Sequence, residues 1–173
     1  MITSEHLHLA LNHLPFLGAA FAIIPLLIGL FKHQRTTVFA GLIIAIISGW
    51  ATPFVMNTGE SAYERYEEGP IASYLDPQAE EYLEVHEHRA EAWSKVMYAS
   101  AVICSLGIIV LIWRPRVIVP VASLAALSCV ASLGSGIWIA ESGSTIRRPD
   151  FRSESLESNS ANSFSDDEDK EHD

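Results

Sequence analysis

Charge is missing from most of this chain. Residues 9–31, 36–56, 96–113 and 117–140 contain no Asp, Glu, Lys or Arg. Helices of a soluble bundle need a polar face toward water, and these runs are apolar all round, which excludes that architecture. A helix crosses about 30 Å of hydrocarbon with roughly 20 apolar residues. Three runs reach that length. The third becomes a full span from Trp93 to Trp113 if Lys95 snorkels to the interface. Positive charge is absent from Ile2 to His8, and no small-x-small site follows the first run, so it reads as a span and not as a cleavable leader.

Cysteine is almost absent. Cys104 and Cys129 both fall inside apolar runs, without a C-x-x-C-H motif, which excludes covalent c-type haem attachment by the usual signature. Packing is their expected role. There is no phosphate loop, no Ser-His-Asp arrangement and no H-E-x-x-H; His86-Glu87 begins like the last but lacks the second histidine. These absences point away from a stand-alone enzyme. The formal charge of −10 comes from two polar stretches and gives no reason to expect nucleic acid. No internal repeat is apparent.

What remains is an all-α reading: an integral membrane four-helix bundle over residues 1–150, with spans at about 9–31, 36–57, 93–113 and 117–140. Arg114-Pro115-Arg116 predicts a tight turn between the last two. The 57–95 segment holds ten acids against three bases, and Gly69-Pro70 and Asp76-Pro77 break it. From Gln78 onward helical spacing returns, so the third helix is expected to run unbroken to Trp113, roughly 54 Å at 1.5 Å per residue. That is more than a bilayer needs, so its first turns form an extramembrane extension. Residues 151–173 are rich in Ser, Asn and acids, a composition expected to be a disordered tail. Lys32 and Arg35 share one side with Arg114 and Arg116, which by the positive-inside bias places both termini and the acidic segment outside. Arg147, Arg148 and Arg152 run against that bias.

Ionisable groups near membrane depth are costly and are functional candidates. They gather at one end of the spans. His13, with His6 one heptad earlier and His8 between, lies at the start of the first. Asn57-Thr58-Gly59-Glu60 ends the second, His86-Glu87-His88 precedes the third, and Glu141-Ser142-Gly143 ends the fourth, followed by Arg147-Arg148. Two histidines on different helices can bracket a haem, and His13 with His86 or His88 is the expected pair. Arg147 or Arg148 suits a propionate. Glu60 and Glu141 suit the outer hydrogen bonds that orient a ligand histidine. The rival is a bare metal ion held by His13, His86, Glu60 and Glu141, although Glu-x-x-His occurs only at Glu5-x-x-His8. The small-residue rows Gly41/Ala45/Gly49 and Ser128/Ser132/Gly136/Ala140 suit close helix packing or a flat cofactor.

The chain resembles small bacterial four-span membrane proteins of uncharacterised activity. They carry H-x4-H-x-P, T-G-E, H-E and a G-x-I-R-H-P-like stretch, matched here by His8-Leu9-Ala10-Leu11-Asn12-His13-Leu14-Pro15, Thr58-Gly59-Glu60, His86-Glu87 and Gly143-Ser144-Thr145-Ile146-Arg147-Arg148-Pro149. The resemblance covers roughly residues 6–152. Arg148 stands where the family pattern has His. It implies a multi-pass protein of the bacterial inner membrane. The functional expectation is a b-type cytochrome-like electron-transfer subunit with a haem b site at the outer face, exchanging electrons between quinone and a periplasmic redox protein or other membrane subunits. The alternatives are a non-catalytic accessory subunit and a non-haem metal protein.

Overall fold

The computed structural model describes residues 3–69 and 78–152. The expected breakers beyond Gly69 and the tail from residue 153 lie outside these. The described residues are helical, without strands. Four segments are long and apolar enough to cross a membrane: Ser4–Phe31, Arg35–Glu67, Ala79–Trp113 and Pro115–Arg147.

The first two segments are broken and the last two are not. Helix α1 (Ser4–Leu11) stops at Asn12, and α2 (Leu14–Phe31) restarts with Pro15 in its first turn. Helix α3 (Arg35–Trp50) stops at Ala51, and α4 (Thr52–Glu67) restarts with Pro53 in its first turn. Proline has no N–H to bond back to the preceding turn, so it fits the start of a helix and interrupts one already running. Helix α5 (Ala79–Trp113) runs without interruption for 35 residues, as its spacing predicts. A 3₁₀ turn at Pro115–Val117 leads into α6 (Ile118–Arg147), and a second one follows at Pro149–Phe151. Asn57-Thr58-Gly59-Glu60 is therefore not the end of the second helix, which continues to Glu67.

The core is lined by small side chains, which lets backbones approach. A Cβ on Gly41 would lie 2.7 Å from Leu26, one on Gly49 2.7 Å from Ala101, and one on Gly136 2.1 Å from the Phe16 side chain. The small-residue rows are thus filled by neighbouring helices. Leu26, Leu42, Leu111, Cys104 and Cys129 are fully buried among them, both cysteines as free thiols. Large apolar residues such as Phe21 (63% exposed) and Leu127 (68%) face outward. That is the inverse of a water-soluble surface, where contiguous apolar patches of this kind are rare. At the turn end Arg35 donates to the Leu111 carbonyl at 2.7 Å and lies over the Phe39 ring, closing the C-terminus of α5.

The bundle consists of two equivalent hairpins. Helices α2 and α3 pair as α5 and α6 do, and the halves join through α2 on α6 and α3 on α5. The buried positions correspond at a constant offset. Along the first helix of each half, Ala19 matches Met97, Ala22 matches Ser100, Leu26 matches Cys104 and Gly29 matches Gly107. Along the second, Val38 matches Ala122, Leu42 matches Ala126, Ala45 matches Cys129, Ser48 matches Ser132 and Thr58 matches Ser142. The breaks obey the same register: Pro15 and Pro53 stand opposite Trp93 and Ile137, so only the first half is interrupted. This repeat was not apparent from the sequence. Of these pairs only Gly29/Gly107 and Ser48/Ser132 are identical residues, and the two offsets differ mainly because α5 runs further past Gly107 than α2 does past Gly29.

Candidate functional site

Two histidines occupy the same place in the two halves. His8 on α1 lies on the register that matches Ala19 to Met97, and its counterpart on that register is His86. His8 Nδ1 is 3.1 Å from the Val55 carbonyl and 3.4 Å from Thr58 Oγ1, and the Thr58 hydroxyl itself donates to that carbonyl at 2.8 Å. His86 Nδ1 is 3.1 Å from the Ile139 carbonyl and 3.1 Å from Ser142 Oγ, and the Ser142 hydroxyl donates to that carbonyl at 2.7 Å. A carbonyl only accepts, so in each case Nδ1 carries the proton and donates. Each ring also faces a glycine one residue beyond the hydroxyl. A Cβ on Gly59 would lie 2.9 Å from His8 Cε1, and one on Gly143 3.1 Å from His86 Cε1. Each imidazole therefore packs closely over a glycine, in a notch that a larger residue would narrow.

In the neutral ring this arrangement fixes the tautomer and leaves Nε2 with a lone pair. A backbone carbonyl holding Nδ1–H is the common support of a metal-ligating histidine, because it sets ring orientation and raises the basicity of the other nitrogen. Both rings are half-buried, and His8 lies within electrostatic reach of His86. Helix α1 packs on α4 while α5 packs on α6, so the two histidines belong to separate helix pairs.

The other sequence-predicted residues are placed differently. His13 is exposed at the joint between α1 and α2, hydrogen-bonded to Asn12 Oδ1 and beside the Phe16 ring at 5.4 Å. The break at Asn12 takes it off the helical face of His6, which bonds Thr3 Oγ1 at 2.6 Å. His88 is exposed on α5, so His86 is the inward member of its pair. Glu60 is exposed; Glu141 is exposed and 3.4 Å from Arg89, whose guanidinium stacks over Trp138 at 4.1 Å. The four-residue metal set does not converge. Among the described residues no three His, Cys, Asp or Glu side chains are placed to hold one ion.

Arg147 is exposed. Arg148 is committed to Asp150 at 2.7 Å and to the Phe151 ring at 4.3 Å. Its guanidinium hydrogen bonds hold the Asp150 carboxyl below the usual carboxylate range. The cation that is buried here is Arg152, which the sequence marked only as running against the charge bias. It donates to the carbonyls of Thr145 (2.8 Å) and Ile146 (3.0 Å) and lies over the Tyr82 ring at 4.2 Å, tying the end of α6 to the start of α5.

Sequence reasoning also missed the acceptors of the two histidines. Backbone carbonyls leave no mark in composition, but the pattern [V/I]-x-x-[T/S]-G does. It occurs as Val55-Met56-Asn57-Thr58-Gly59 and as Ile139-Ala140-Glu141-Ser142-Gly143. Comparison with protein-family models, curated proteins and solved structures found no match to the chain.

Proposed function

We propose that the chain is a membrane-embedded electron-transfer subunit that binds a b-type haem through histidine at the end of the bundle carrying both termini. The observation that supports it is the matched pair His8 and His86, each with Nδ1 committed to a carbonyl and Nε2 left over. The residues fit such a group: two neutral imidazoles on separate helix pairs are the donor set of a bis-histidine iron. His8 takes the place that the sequence suggested for His13. Arg147 is the exposed cation nearest in sequence to this end of α6 and suits a propionate. The haem, when bound, supplies one-electron chemistry. The chain's own residues orient the ligand nitrogens, and Gly59 and Gly143 keep room for the rings.

The setting is a multi-pass protein of a bacterial inner membrane. Lys32, Arg35, Arg114 and Arg116 face the cytoplasm at the turn end, and both termini and the histidines lie on the periplasmic side. Glu60 and Glu67 of α4 stand within electrostatic reach of Glu87 on α5, as do Glu84 and Glu91 of its own helix. This acidic face favours a basic periplasmic redox protein or a neighbouring subunit as partner, with quinone in the bilayer at the other side of the electron path.

The test is a dithionite-reduced minus oxidised optical spectrum of the detergent-purified protein from haem-replete cells. Haem b bands that vanish in His8→Ala and in His86→Ala, and persist in His13→Ala, are expected. A featureless wild-type spectrum would overturn the reading.

A further inference from the structure

The constant register carries more than a likeness between halves. In the first helices it matches four buried positions and, continued past the break at Asn12, it matches His8 to His86. In the second helices the same is true from Val38/Ala122 through Thr58/Ser142 to Gly59/Gly143. The packing α2–α3, α5–α6, α2–α6 and α3–α5 is what a two-fold axis along the bundle generates. In transporters built from repeats the binding site lies at the repeat interface. A ligand bound at such an axis meets the two halves in the same way.

We propose that His8 and His86 form one shared site, the two equivalent histidines that would together hold a single iron porphyrin between α1/α4 and α5/α6. This deepens the haem reading and rests on it for the identity of the ligand. Three observations carry it. The rings share one register. Their hydrogen bonds repeat atom for atom, to Val55 and Thr58 on one side and to Ile139 and Ser142 on the other. Both glycine notches repeat as well. Two independent bis-histidine haems would each need a second histidine within its own half, and among the described residues neither half presents an equivalent pair. His13 and His88 are both exposed, and they fall at unrelated positions of the register.

Haem stoichiometry and spin state test the shared site. The expected result is one haem per chain, low-spin, with both His8→Ala and His86→Ala losing the low-spin signal from the whole population and free imidazole restoring it in each. Two haems per chain, or single variants that each keep half of an unchanged low-spin signal, would overturn the shared site while leaving the haem reading intact.

A second measurement needs no haem. In a chain with Cys104 and Cys129 replaced by Ser, His8→Cys and His86→Cys are combined. A rigid bifunctional thiol reagent about as long as an imidazole–iron–imidazole unit is added to the detergent-solubilised protein. Intramolecular bridging, read as one reagent mass per chain with both thiols blocked, is expected. Two reagent masses per chain would place the positions too far apart and sink the shared site. Bridging in a protein that takes up no haem would retain the shared position and reject the porphyrin.

Discussion

Gly134 and Gly136 stand two residues apart on α6 and should respond oppositely to alanine. Nothing lies within 4 Å of a Cβ placed on Gly134. Its replacement adds only helix propensity, worth about 0.8–1 kcal/mol at an exposed interior position. A Cβ on Gly136 falls 2.1 Å from Phe16 Cβ and 2.6 Å from its Cγ. Those atoms are at the root of the side chain, so rotating the ring cannot clear them, and α2 and α6 must separate. Overpacking of this kind costs typically 1–3 kcal/mol, with the propensity gain common to both variants. The expected gap between Gly134→Ala and Gly136→Ala is therefore roughly 1–3 kcal/mol, with Gly134→Ala at or above wild type. Reversible unfolding by SDS in mixed micelles, followed by tryptophan fluorescence and circular dichroism, measures it. Equal midpoints would refute the claim that α2 and α6 meet at Gly136. A Gly134→Ala variant as unstable as Gly136→Ala would refute the placement of Gly134 on the outward face.

Three further outcomes follow from single contacts. The Ser132 hydroxyl is buried without a hydrogen-bond partner among the described residues, so Ser132→Ala should raise stability by about 1 kcal/mol in the same assay; a loss instead would mean that the hydroxyl has a partner. Arg35→Ala removes the cap on the Leu111 carbonyl and should cost roughly 1.5–3 kcal/mol, with faster amide exchange confined to the last turn of α5 and the start of α3. The Asp150 carboxyl is depressed by Arg148, so their contact is present above the usual carboxylate range and is lost as pH falls through the lowered value. A carbon-detected NMR titration should show Asp150 titrating below a free aspartate and returning to the ordinary range in Arg148→Ala, an unchanged titration being the contrary result.

Much of the candidate site could be read from the chain, but not its arrangement. The polar residues at one end of the four runs stand out because charge and histidine are otherwise missing from those runs. His8 and His86 were among them. So were His13 and His88, and nothing local separates the four. Helical periodicity carried straight through Asn12 puts His13 on the face of His6, with His8 between them. Pro15 stops that helix, and the seam against α4 then selects His8. His86 and His88 are neighbours on opposite sides of one helix, and the packing of α6 decides between them.

The chain's own composition determines the helices. Runs without charge, bounded by Arg, Pro and acidic stretches, have one low-energy solution in hydrocarbon, where every backbone polar group must be satisfied within its own segment. That is a local requirement, so it is written locally. The tertiary structure alone decided which side chains meet. The register between the halves, the glycine notches that admit the rings and the carbonyls that hold Nδ1 depend on contacts between residues far apart in the chain. Those contacts are set by the volumes of small side chains at helix crossings, where a methyl group more or less decides whether two backbones can touch.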